Sequence, residues 1–91
     1  MTDRHTGTVT ITNKLGLHAR AAAKVVEAAA RFQSTILIGK DGDTVDARSI
    51  LGLMMLNARQ GSFIQVSAEG EDAREAIAAI LALIHARFGE D

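Results

Sequence analysis

Residues 8–32 read TVTITNKLGLHARAAAKVVEAAARF. Three kinds of local structure succeed one another within this stretch. Thr8 to Thr12 alternates polar and apolar positions and is entirely β-branched, the pattern of a half-buried strand. Asn13 to Gly16 breaks that pattern. From Ala19 to Phe32 the chain is rich in alanine, and Ala22, Val25, Val26 and Ala29 recur at helical spacing, which predicts a helix with one apolar face. A strand therefore feeds a helix through a short polar joint, and the fold is mixed from its first elements.

The rest of the chain extends this reading. Ser34 to Ile38 predicts a second strand and Thr44 to Ala47 a third. The Gly39-Lys40-Asp41-Gly42 segment lies between them, and an Asp-Gly pair between strand-like runs signals a hairpin. Ser49 to Leu56 is a short apolar segment, read as a helix with Ser49 as its N-cap although Gly52 sits inside it. Gln60-Gly61 marks a turn, and Phe63 to Ser67 a fourth strand. Gly70-Glu71-Asp72 opens a last helix with acidic charge where the helix dipole favours it. Ala73, Ile77, Ile80, Leu81, Ile84 and Phe88 form its apolar stripe, and Gly89 ends it. The order is β-α-β-β-α-β-α. Such elements bury their apolar faces as an α+β two-layer open-faced sandwich, with a four-stranded, largely antiparallel sheet covered on one face by helices. Upstream, Met1 to Gly7 is a polar tail whose first few residues read as frayed, with His5 silent within it.

Composition narrows the function. The 91 residues fit a single domain spanning 1–91. There is no Cys, so neither a disulfide framework nor a thiolate metal site is available. Ten Lys and Arg against eleven Asp and Glu leave a net charge of −1, and Phe32, Phe63 and Phe88 are the only aromatic side chains. That balance disfavours nucleic-acid binding through a basic surface with stacked rings. No apolar run reaches the roughly 18 residues of a membrane span, and the N-terminus lacks a signal peptide's apolar core. A soluble cytoplasmic domain is expected, without membrane association. No His-x-x-His or Glu-x-x-His pair is present, and Asp41-Gly42-Asp43 lacks the later ligands of a calcium loop, so no metal and no cofactor is expected. The chain also has no proline.

Chemistry then falls to the histidines. His85 lies off the apolar stripe near a helix C-terminus, where a cation is mildly favoured. His18 stands where the first strand has ended and the helix is about to begin. The first amides of a helix lack intrahelical partners and attract anions. Arg20 can add its planar, permanently charged fork to the same place. The positive helix end disfavours a charged imidazolium, so a ring nitrogen remains free as a nucleophile. The same position also suits a histidine that merely caps the helix. Ser49 is open in the same way, as a cap or as part of a site. The apolar residues after it cannot all face one way on so short a helix. Ile50, Leu51 and Met54 share one face and Leu53 and Leu56 another, so either both faces are core or one is exposed as a docking surface rich in flexible Met.

Two segments resemble a known family. Gly16-Leu17-His18-Ala19-Arg20, followed by Ala22, resembles the phosphorylation motif of HPr, the histidine-containing phosphocarrier of the bacterial phosphotransferase system. Ala47-Arg48-Ser49-Ile50-Leu51-Gly52-Leu53-Met54 resembles its regulatory serine segment, and Ser67 to Asp72 its last turn. Thr12 to Gly16 and Ala82 to Asp91 are similar to NPr, the carrier of the nitrogen-related branch. The resemblance runs from about Val9 to Phe88. It implies that His18 accepts a phosphoryl group on its δ nitrogen from phosphorylated enzyme I and passes it to an EIIA protein or domain. It implies that Arg20 stabilises the phosphoryl oxygens, that Ile50, Leu51 and Met54 dock both partners in turn, and that Ser49 is a site for an HPr serine kinase/phosphorylase. The implied component is a monomeric carrier rather than an autonomous enzyme. An alternative within the same resemblance is a regulatory protein-interaction module working through the Ser49 face. One departure stands out. The family usually has proline directly after the motif arginine, and here that residue is Ala21. Alanine is an excellent helix former, so the helix should start normally but be entered more loosely.

Overall fold

The computed structural model describes residues 3–90. The elements are β1 (Arg4–Thr10), α1 (Ala19–Ala29), β2 (Thr35–Lys40), β3 (Asp43–Asp46), α2 (Ile50–Met55), β4 (Phe63–Glu69) and α3 (Ala73–His85), followed by a 3-10 turn over Arg87–Gly89. The four strands form one sheet in the order β1-β4-β2-β3, with every neighbouring pair antiparallel. This is the open-faced α+β sandwich that the pattern of strands and amphipathic helices predicts.

Alternation along the strands explains the two faces. Ile36, Ile38, Ile64, Val66 and Ala68 point inward and are buried, whereas Thr35, Phe63 and Gln65 stand exposed on the open face. The helices close the inner face with Ala22 and Val25 of α1, Leu53 of α2, and Ile77, Ile80 and Ile84 of α3. Each large aliphatic side chain buried in this way contributes roughly 1.5–3 kcal/mol relative to leaving it in water. The β2–β3 hairpin is closed by Asp41 and Gly42, both with positive φ (52° and 89°), between the paired Lys40 and Asp43. These are the dihedral signs of a type I′ turn, which matches the twist of the strands it joins.

Three boundaries differ from the sequence reading. The N-terminal segment is not a frayed tail from Arg4 onward: β1 starts there and pairs with β4 from Arg4↔Glu69 to Thr10↔Phe63. His5 is consequently a half-buried strand residue opposite Ala68 rather than part of a loose end. Met1 and Thr2, the first residues of the expected tail, lie outside the described residues. Gly7 lets β1 approach α3, since a Cβ there would sit 2.7 Å from Leu81 Cδ1.

α1 ends at Ala29 instead of Phe32. The guanidinium of Arg48 collects the carbonyls that follow, donating to Ala29 O (3.2 Å), Ser34 O (3.4 Å) and Phe32 O. Its five N–H groups suit it to bridging several acceptors at once. α3 ends at His85, and Phe88 reaches the core through a turn in which Arg87, Phe88 and Gly89 all have positive φ (57°, 55° and 78°). The apolar stripe is therefore completed by a fully buried Phe88 that is not on the helix.

Asp72 holds the other end of α3. Its carboxylate makes no bond to its own helix. It accepts instead from the amides of Gln33 and Ser34 (2.9 Å each) and from the Ser34 hydroxyl, fastening the α1–β2 loop to the start of α3. The Ser34 hydroxyl and the Gln33 amide hold the Asp72 carboxyl below the usual aspartate range.

Candidate functional site

The loop from Ile11 to His18 is stitched to the loop from Asn57 to Ser62. Ile11 N–H donates to Ser62 O (2.9 Å), Gly61 N–H to Ile11 O (2.7 Å) and Leu17 N–H to Ala58 O (2.8 Å). Gln60 adds a bond from Nε2 to Thr12 O (3.0 Å). Gly16 is required at the closest approach: its φ is +65°, and a Cβ would lie 2.5 Å from Ala58 O. Glycine alone combines that conformation with that proximity at no steric cost.

His18 follows as the N-cap residue of α1, with extended backbone (φ −78°, ψ 179°). Its carbonyl accepts the first intrahelical bond, from Ala22 N–H at 2.8 Å. The amides of Ala19, Arg20 and Ala21 precede that bond and lie at the positive end of the helix. The imidazole makes no capping bond, so a purely capping histidine does not describe this residue. Its Nε2 meets Glu90 Oε2 at 2.6 Å instead. Glu90 Oε1 accepts from Nδ2 of the buried Asn13 (2.9 Å), and the same Nδ2 donates to Gly16 O (2.9 Å). Burial pushes the Glu90 carboxyl upward. The hydrogen bonds from His18 and Asn13, with the charges of His18 and Lys24, outweigh that push and hold it below the usual glutamate range. Arg20, in the first turn of α1, is exposed.

α2 lies beside this loop. Ser49 is its N-cap, with Oγ accepting from Gly52 N–H at 3.0 Å. Gly52 fits there because a Cβ would stand 3.1 Å from both Ser49 Oγ and Val45 Cβ. The two faces of α2 divide as the spacing predicts. Leu53 and Leu56 are buried, while Ile50 (41% exposed), Leu51 (74%), Met54 (44%) and Met55 (83%) face outward. A shallow cavity of about 200 Å³, lined among others by Leu15, His18, Met54, Asn57 and Arg59, joins this face to the histidine. His18 and the exposed apolar residues of α2 thus lie on one surface. Among the described residues no group of three or more His, Asp or Glu side chains could hold a metal ion.

Comparison with known proteins bears on this arrangement. Residues 5–86 match the family described as the PTS HPr component phosphorylation site. The chain belongs to the HPr family. It is 52% identical to the phosphocarrier protein HPr of Cupriavidus necator over 81 residues, covering 89% of this chain and 91% of that one. It is 44% identical to the phosphocarrier protein NPr of Escherichia coli strain K12 over 85 residues, covering 92% and 94%. Among solved structures it resembles the HPr-C-His crystal structure from Thermoanaerobacter tengcongensis, with a TM-score of 0.92 at 47% identity over 96% of this chain and 98% of that one.

As a member of the HPr family, the chain departs from the usual motif at Ala21, and α1 starts normally there: the helix runs from Ala19 with Ala21 fully buried. The residues brought to His18 that sequence reasoning missed are Glu90, Asn13, Leu15 and Arg59. Glu90 is 72 positions from His18. No local periodicity connects two such residues; only the inward turn of Phe88 carries the chain back to the loop. Leu15 was legible as an apolar residue in an otherwise polar joint. His85 is exposed at the end of α3, and His5 lies in β1.

Proposed function

We propose that this HPr-family chain is a phosphocarrier of the phosphoenolpyruvate-dependent phosphotransferase system, acting in the cytoplasm. His18 accepts a phosphoryl group from phosphorylated enzyme I and passes it to an EIIA protein or domain. The observation that carries this reading is the placement of His18 at the positive end of α1, on the same surface as the exposed apolar residues of α2. A phosphoryl group on the ring would meet the first helix amides, with the guanidinium of Arg20, two positions further on, to share its oxygens. The protein's part in such a transfer is positioning and charge compensation. Ile50, Leu51 and Met54 form the docking surface that both partners use in turn, and a small apolar patch suits moderate affinity with fast exchange.

The experiment is incubation with phosphoenolpyruvate and a matching enzyme I. It should leave an acid-labile, base-stable phosphate on the protein, absent from a His18→Ala variant. Equal labelling of that variant refutes the reading.

A second reading assigns regulation to Ser49. Its hydroxyl sits against the Gly52 amide at the edge of the docking face. A phosphate there would bring about −1.5 to −2 charges beside Ile50 and Leu51 and repel an acidic partner. That reading predicts partner binding that survives His18→Ala but is lost on changing Ile50 or Met54 to Asp. Similarity to both HPr and NPr proteins leaves the sugar and nitrogen-related branches as two versions of the carrier reading.

A further inference from the structure

The chain has three methionines and no cysteine, so thioether sulfur is its only sulfur. Both internal methionines, Met54 and Met55, stand side by side on α2. They face outward, 44% and 83% exposed, whereas the inner side of the helix is carried by the buried Leu53 and Leu56. Among the described residues the hydrophobic core contains no methionine. Oxidisable sulfur is thus absent from the core and concentrated on the apolar face that also presents Leu15, Ile50 and Leu51. The two methionines differ in place. Met54 lines the cavity that reaches His18, together with Leu15, Asn57 and Arg59, and Met55 does not.

We propose that Met54 is a site of reversible oxidation by hydroperoxides, and that its sulfoxide weakens docking at the face through which His18 is reached. The proposal rests on the carrier reading above and adds a regulation of the same surface. The step balances without further reactants. A sulfur lone pair attacks one peroxide oxygen, the S–O bond forms and the O–O bond breaks. The departing oxygen takes up a proton and leaves as water or an alcohol. Sulfur is oxidised by two electrons and the peroxide is reduced by two. Thiol-dependent sulfoxide reductases reverse the change: the oxygen leaves as water while two thiols become a disulfide.

The consequence follows from the position of the sulfur. Oxidation turns a flexible apolar side chain into a polar, chiral one. In the free protein the new oxygen is hydrated, because Met54 faces water, and the core beneath it is untouched. A partner that covers Met54 must strip that water, and a polar group buried without a hydrogen bond opposes association. The penalty therefore falls on docking and leaves the fold intact. Met55 is the more exposed thioether and reacts first, but it lies outside the cavity, so the loss of transfer follows Met54.

The test treats the full chain with hydrogen peroxide, removes the peroxide by desalting and maps each methionine by mass spectrometry, Met1 included, a sulfoxide being read as one added oxygen. Initial labelling rates are then measured with phosphoenolpyruvate and enzyme I at carrier concentrations well below saturation, each protein against its own untreated sample. In the parent, Met55 should oxidise before Met54, and the rate should fall on the order of tenfold as the Met54 sulfoxide accumulates. The melting temperature should move by no more than about 4 °C. A pair of methionine sulfoxide reductases, one for each epimer, with dithiothreitol should restore the rate. Met54→Leu should keep its own rate after peroxide, and Met55→Leu should lose it as the parent does. Together these results support the proposal. A parent that carries the Met54 sulfoxide and labels at its untreated rate overturns it, as does a Met54→Leu variant that loses its rate as the parent does. A Met54 that stays reduced after Met55 is fully oxidised also overturns it, and so does a larger fall in melting temperature, which would place the damage in the fold. An untreated parent that does not label at all overturns the carrier reading and this regulation with it.

Discussion

Gly16→Ala perturbs the joint on which the His18 loop turns. Gly16 has φ +65°, and the added Cβ would lie 2.5 Å from Ala58 O and 2.9 Å from Arg59 Cα. Both neighbours are backbone atoms, so no side chain can swing aside. A non-glycine residue held in the left-handed region costs roughly 1–3 kcal/mol. Moving the 58–59 backbone away also stretches the Leu17 N–H to Ala58 O bond, now 2.8 Å, and a bond of this kind contributes about 0.5–1.5 kcal/mol. Against these stands a stiffer unfolded chain, which favours alanine by only about 0.4–1 kcal/mol. The strain wins, with a net loss near 2 kcal/mol on these figures, or roughly 8–16 °C in melting temperature for a chain of this size. The assay is thermal and urea unfolding followed by circular dichroism, with the phosphoryl-labelling rate measured well below the melting range. Labelling should slow as well, because His18 begins two residues later and misplacement by about 1 Å can cost on the order of 100-fold in rate. A variant that melts within about 2 °C of the parent and labels at the same rate would refute the argument that this backbone approach sets the loop.

Further outcomes follow from the same structure. Ala21→Pro should raise stability by about 0.4–1 kcal/mol, because the Ala21 amide precedes the first intrahelical bond, from Ala22 N–H to His18 O; a lower melting temperature would mean the ring does not fit at this buried position. Asp72 titrates below its ordinary value in the folded protein, so the unfolded chain binds its proton first as pH falls and the stability it contributes is present above about pH 4 and lost below. Urea midpoints should therefore fall through that range in the parent and fall less in Asp72→Asn; parallel curves would contradict the assignment. Leu53→Ala should cost about 2–5 kcal/mol as a core truncation, whereas Leu51→Asp on the exposed face should change stability by no more than about 0.5 kcal/mol and yet abolish partner binding in calorimetry. Arg20→Ala should fold normally and transfer phosphate more slowly, since an exposed arginine adds little stability; unaltered transfer kinetics would leave the helix amides as the sole anion support.

What could be read from the sequence was what local patterning encodes. Asp41-Gly42 between two strand-like runs fixed the hairpin, and the two faces of α2 followed from the spacing of Ile50, Leu53, Met54 and Leu56. The placement of His18 at a strand-to-helix joint was legible for the same reason. The start of β1 was not, because its inward positions are His5 and Gly7. Neither residue advertises a strand, and both are held there by pairing with β4 and by the room Gly7 leaves for Leu81. The ends of α1 and α3 were missed because apolar periodicity continues past them. Arg48 gathers the carbonyls after Ala29, and left-handed backbone at Arg87 and Phe88 carries the stripe into the core without a helix. Glu90 and Asn13 escaped notice because a contact spanning 72 positions leaves no trace in any local window. Ala21, read as a source of looseness in the helix start, is followed by a regular helix, and the histidine side chain is gripped from elsewhere.

The most direct test of the central claim is a chase. The protein is first labelled from phosphoenolpyruvate and enzyme I, freed of both, and then mixed with a purified EIIA protein. The account predicts that the label leaves His18 and appears on the acceptor, and that Met54→Asp slows its departure. A label that remains on His18 in the presence of every EIIA offered, or that reaches the acceptor equally well from a His18→Ala preparation, would contradict it.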